Sequence, residues 1–147
     1  MEIFRNHVLI AGAIAWLIAQ TVKVPIEYLR TQQWNWALLF RAGGMPSSHS
    51  ALVTAIAHAI GLFYGFDSPL FAIGLTLAMV VVYDATGIRR QAGKHAELIN
   101  AIINDLASGH PLKEEQLREV LGHTPIEAFA GVALGVVVAQ LVWLVAS

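Results

Sequence analysis

Apolar residues run along this chain in four blocks, each close to the ~20 residues that a hydrocarbon core requires. The first extends from Val8 to Val22 and continues as helix to Leu29; the others cover Ser47 to Phe66, Pro69 to Ile88 and Pro125 to Ala146. Gly65-Phe66-Asp67-Ser68-Pro69 concentrates turn formers and predicts a tight link between the second and third blocks. Residues 89–124 form the longest polar stretch. Within it Leu98, Ile99, Ile102, Ile103 and Leu106 recur at helical spacing, predicting an amphipathic helix from Lys94 to Ala107. Ser108-Gly109-His110-Pro111 breaks that helix, and a second short one follows from Leu112 to Leu121, ended by Gly122. Both are expected over the bundle mouth or on the membrane surface. The pattern as a whole predicts an all-α, integral membrane four-helix bundle with spans at about 8–29, 47–66, 69–88 and 125–146. The insertion 89–124 is its one polar excursion, and residues 1–147 form a single domain.

Composition sharpens the membrane reading. Of 147 residues 56% are hydrophobic and only 13% charged, where a soluble domain carries roughly 25% charged residues. Mean hydropathy is +0.62. With no cysteine there is no disulfide framework, thiolate nucleophile or thiolate metal site. A net charge of −1 gives no whole-chain signal for nucleic acid. Arg5 precedes an apolar stretch as in a signal peptide, but that stretch runs straight into Lys23 and Arg30, so a retained span is expected.

Charge placement then orients the bundle. With four spans, both termini and the Asp67 turn share one side, which holds only Arg5. The other side holds Lys23, Arg30, Arg41, Arg89, Arg90, Lys94, Lys113 and Arg118. The positive-inside tendency places that side in the cytoplasm. Trp34, Trp36 and Arg41 between the first two spans suggest either a segment at headgroup level or a loop packed over the bundle end.

Polar groups gather at the span ends of this face. Lys23 and Arg30 are two helical turns apart on one face of the first span. Gly43-Gly44-Met45-Pro46-Ser47-Ser48-His49 opens the second, with Ser47 or Ser48 as helix cap. Asp84, Arg89 and Arg90 close the third, and His123-Thr124-Pro125-Ile126-Glu127 opens the fourth. Lys and Arg can neutralise phosphate oxygens, and unpaired N–H groups at a helix start add donors. One imidazole can attack phosphorus while another protonates the leaving alkoxide. Glu127, one turn beyond His123, can hold the far nitrogen of that ring.

The same residues resemble the type-2 phosphatidic acid phosphatase and vanadium haloperoxidase superfamily, and most closely its short divergent bacterial and plastid branch. The superfamily signatures are K-x6-R-P, P-S-G-H and S-R-x5-H-x3-D. Lys23 and Arg30 match the first, with Thr31 in place of proline; Pro46-Ser47-Ser48-His49 matches the second, with Ser for Gly. The third is split between Arg89 or Arg90 and His123-x3-Glu127, with Glu for Asp. A competing alignment, Arg89-x5-His95, puts Ile99 where the acid belongs, and His123 is preferred. The resemblance implies His123 as nucleophile, supported by Glu127 and forming a phosphohistidine without metal or cofactor, and His49 as general acid. It implies phosphate binding by Lys23, Arg30, Ser47, Ser48 and Arg89 or Arg90, and a lipid-phosphate phosphatase. An anionic phospholipid or a polyprenyl phosphate is the implied substrate.

Each residue also has a plainer role. Lys23, Glu27 and Arg30 are spaced for helix-surface ion pairs, and Glu27 could hold both cations in place. Thr124-x2-Glu127 is a capping box. Arg89 and Arg90 could mark the cytoplasmic end of a span. Asp84 lies in an apolar run and is expected behind the ligands, paired with Arg89, Arg90 or Lys23. His58 reads as a hydrogen-bonded core histidine. Gly12, Gly61, Gly74, Gly131 and Gly135 read as helix-packing contacts, and Gly131-x3-Gly135 could also mark a homodimer face. Two rival readings are a lipid-phosphate binder or flippase without chemistry and a helical scaffold whose polar rim only snorkels. A topology reporter fused after Ser147 is expected to sit outside the cytoplasm; a cytoplasmic signal would reverse the orientation.

Overall fold

Small residues decide how these helices meet. The computed structural model describes residues 3–40, 43–86, 95–96, 98–100, 103 and 124–147. Among the described residues four long helices carry the fold: α1 (His7–Thr31), α2 (Ser48–Tyr64), α3 (Pro69–Thr86) and α4 (Pro125–Ala146). Short 3-10 turns lie at Ile3–Arg5 and Trp36–Leu39, and no strand occurs among the described residues. The protein is all-helical, as its apolar periodicity predicts. By length and composition α1, α3 and α4 can cross a membrane. The apolar α2, with 17 residues, is shorter, about 26 Å at 1.5 Å per residue.

Capping sets the ends. Asn6 Oδ1 accepts from the N–H groups of Val8 and Leu9 at 3.1 and 3.2 Å, satisfying two orphan donors of α1. At the other end Gln32 turns left-handed at φ 58° and its N–H donates to the Tyr28 carbonyl.

α2 is the hub and touches each of the other three helices. Ala51, Ala55 and Ala59 are fully buried along it. α4 lies on α2 so closely that a methyl group on Gly131 would collide with the Ser47 carbonyl oxygen, and one on Gly135 would come within 2.6 Å of the Ala51 carbonyl. Position numbers rise together across this seam, so α2 and α4 run parallel. Gly131 and Gly135 therefore serve a contact inside the chain. Across α1 the numbers fall: Gly12 faces Ile56 whereas Lys23 reaches Ser48, which makes α1 antiparallel. α3 returns antiparallel through the Gly65–Pro69 turn, with Gly74 against Ala57. Between helices in lipid there is no water to expel, so close backbone approach and dispersion supply the attraction.

α3 is the loosest member. Ala78 and Ala85 are its buried residues, and Ile73, Leu77 and Val80 face outward. In the polar excursion residues 95, 96, 98–100 and 103 are helical. There Leu98, Ile99 and Ile103 are exposed while Ala96 and Asn100 are buried. The described members of the expected apolar stripe are thus on the exposed side. The short helix expected from Leu112 to Leu121 lies outside the described residues.

Gly131→Val is expected to cost about 1–3 kcal/mol through overpacking and to lower the detergent melting temperature, while Ala133→Val, on the exposed face, leaves it unchanged. Equal melting of the two would contradict the α2–α4 seam.

Candidate functional site at the paired helix starts

The loop entering α2 bends at Gly43 and Gly44, whose φ angles of 103° and 80° suit residues without a Cβ. Of the two serines, Ser47 is the cap: its Oγ accepts from the Ser50 N–H at 3.3 Å and from the Ser50 hydroxyl at 3.0 Å. The Ser47 N–H donates to the Glu127 carbonyl at 2.9 Å, tying the start of α2 to the first turn of α4. α4 begins with a complete capping box. Thr124 Oγ1 accepts from the Glu127 N–H at 3.3 Å, and Glu127 Oε2 accepts from the Thr124 N–H at 3.0 Å.

With Ser47 occupied by the cap, the Ser48 hydroxyl is turned to Lys23. The Lys23 ammonium, on a side chain only 1% exposed, donates to Ser48 Oγ at 3.2 Å and to Gln20 Oε1 at 2.9 Å. Gln20 Nε2 in turn donates to the carbonyls of Leu38 and Leu39, at 3.2 and 2.7 Å. One polar chain therefore joins the Trp36–Leu39 turn, α1 and the start of α2. Both hydrogen-bond partners of Lys23 are neutral, and Glu127 acts on it through its charge. Gln20 has no place among the residues singled out by motif. The signal that could have found it is a buried-side amide three residues before Lys23 in an otherwise apolar run.

A cavity of about 250 Å³ opens beside this chain. Lys23, Glu27 and Arg30 of α1, Gly44 of the loop, and Thr124 and Glu127 of α4 line it. Two cations and two carboxylates thus share one hollow, with the starts of α2 and α4 beside it. Parallel helix starts put two positive dipole ends together, an arrangement that an anion relieves.

Not every expected residue enters this hollow. His49 is exposed at the second position of α2 and is not part of its lining. Asp84 is half-buried near the end of α3, also outside the lining. Arg89, Arg90 and His123 lie outside the described residues. Glu127 caps α4 and also lines the cavity; its expected pairing with His123 lies outside the described residues. Among the described residues no group of three His, Asp or Glu side chains is placed to hold a metal ion. Near the end of α1 Tyr28, Trp34 and Trp36 stack in sequence, with centroid separations of 4.3 and 5.5 Å, and Trp34 and Trp36 are exposed.

An all-helical membrane protein with a polar hollow at adjoining helix starts is the class these features define. Residues 4–138 match the sequence profile of the divergent PAP2 family, and the chain belongs to that family. It is 40% identical to the uncharacterized membrane protein YuiD of Bacillus subtilis (strain 168), over 92% of this chain and 93% of that protein. No solved structure matches.

Gln20→Ala takes one acceptor from a buried ammonium and the donor from two carbonyls. It is expected to destabilise the protein by about 1–3 kcal/mol, read as a lower detergent melting temperature; Gln20→Glu, which keeps an acceptor beside Lys23, is expected to lose less.

Proposed function

We propose that the protein is a membrane lipid-phosphate phosphatase that hydrolyses a phosphomonoester headgroup at the cytoplasmic leaflet of a bacterial inner membrane. The observation that carries this reading is the buried Lys23 ammonium. It is held by neutral oxygens at the wall of a hollow shared with Arg30 and two helix starts. A buried cation costs several kcal/mol unless an anion compensates it, and the hollow offers room for one. Glu127 offsets part of the charge, but one of its oxygens already serves the cap. Membership in the divergent PAP2 family supports the same direction.

In the proposed reaction Lys23 and Arg30 bind the non-bridging oxygens, together with Ser47, Ser48 and Arg89 or Arg90. His123 attacks phosphorus, and the ester P–O bond breaks as His49 gives its proton to the departing lipid alkoxide. Water then attacks the phosphohistidine, losing a proton to His49, and phosphate leaves with His123 restored. Glu127 steadies His123; Asp84 and Glu27 hold the cations in place. No metal or cofactor is required by this scheme. An anionic phospholipid or a polyprenyl phosphate brings the monoester.

A second reading is favoured by the commitment of Glu127 to its capping box: a lipid-phosphate binder or flippase that keeps the anion hollow without turnover. Phosphate release from purified lipid phosphates in EDTA separates the two. The phosphatase is expected to release phosphate, with His49→Ala about 10²–10⁴-fold slower on a poor leaving group and His123→Ala inactive. His49→Ala should still trap phosphohistidine from an activated substrate. Undiminished turnover in His123→Ala would remove it as nucleophile; saturable binding with no release would favour the binder.

A further inference from the structure

A second cavity, of about 530 Å³, opens between α2, α3 and α4 and plays no part in the chemistry above. Leu75, Ala78 and Met79 of α3 face Ala128 and Val132 of α4 across it. Its rim at the polar end is formed by Thr86 and Pro125, and Pro125 directly follows Thr124, which lines the polar hollow. The opposite end is closed by rings. His58 and Phe71 line it, and Phe66 lies between them with centroid separations of 5.8 and 5.0 Å. Phe66 can lie there because Gly61 has no Cβ; a methyl group would collide with its ring. His58 thus stands at the floor of a cleft, where the sequence suggested a hydrogen-bonded core histidine.

An apolar cavity between membrane helices takes up hydrocarbon rather than water. This one starts at the end of the bundle that holds the polar hollow and runs away from it, as the tail of a lipid must. The geometry points to a slot for one hydrocarbon chain of the lipid phosphate, its depth set by the His58–Phe66–Phe71 floor. The assignment rests on the reading of the polar hollow as the headgroup site. From Pro125 to Val136 the slot follows α4 for about 16 Å at 1.5 Å per residue. At ~1.2 Å per bond of an extended chain that is about a dozen carbons. Carbons beyond that depth meet the floor or turn out into the bilayer and add nothing to recognition.

The test uses phosphatidates of increasing chain length with the full-length protein in nanodiscs. For the wild type, kcat/KM is expected to rise with length and level off near about a dozen carbons. Val132→Trp, which fills the slot, should lower kcat/KM for long chains about tenfold, the equivalent of two methylenes, and spare the shortest substrate. Phe66→Ala should move the plateau to longer chains, and decides the matter alone if Val132→Trp does not fold. A second arm needs no turnover: a phosphatidate with a diazirine near the chain end should label Leu75, Met79 and Val132. Labelling in this slot without phosphate release from any lipid would leave the slot standing and sink the phosphatase. Turnover with unaltered length dependence in both variants, label spread over outward-facing Ile73, Leu77 and Val80, or crosslinks from the slot to a second copy would overturn the slot while leaving the phosphatase.

Discussion

The close parallel contact of α2 and α4 is the constraint on which the arrangement turns. Because Gly131 and Gly135 let the backbone of α4 rest on that of α2, the two helices begin side by side. The Ser47 N–H then reaches the Glu127 carbonyl, and two caps sit next to each other. Like ends of two helix dipoles repel at this range, so the seam stores an electrostatic demand that backbone packing alone does not meet. α1 adds to that demand by bringing up a further positive charge, the Lys23 ammonium. In the proposed function this corner receives the negative charge of a phosphate beside the carboxylates of Glu27 and Glu127.

That corner is also stiff. The Lys23 side chain is fixed at its tip by Gln20 and Ser48, and Gln20 is fixed by two backbone carbonyls of the Trp36–Leu39 turn. A long flexible cation ordinarily loses rotamer entropy each time it meets a ligand. Here the cost is met once, on folding, and the ammonium is already in position. The serine pair divides its labour in the same spirit. Ser47 holds the helix start, leaving Ser48 to hold the lysine.

Much of this was legible in the sequence, and the reasons for success and failure are physical. Lipid allows only apolar helices to span it here, so long hydrophobic blocks declare themselves. Glu127 could be read as a cap or as a partner for an imidazole, and the letters alone could not choose, because both uses need the same spacing. The geometry gives the cap one oxygen and turns the residue to the hollow as well. His49 shows a different limit. It lies next to Ser48 in the motif, yet its exposure depends on the rotation of α2, which the distant glycines of α4 help to set. Gly131 and Gly135 could equally have faced another copy. Leu98, Ile99 and Ile103 of the expected stripe are exposed, and whether a stripe faces protein or solvent is not written in its period. Gln20 escaped because a single amide in an apolar run belongs to no motif.

The stacked rings of Tyr28, Trp34 and Trp36 bear on the bundle as a whole. Indole and phenol rings settle where hydrocarbon gives way to headgroups. A rigid ladder of three such rings beside the end of α1 acts as a float line, holding the bundle at a fixed draught in the bilayer. Under the proposed function its mouth then stays level with the phosphate layer, so that a drifting lipid needs neither to climb out of the membrane nor to dive to meet it.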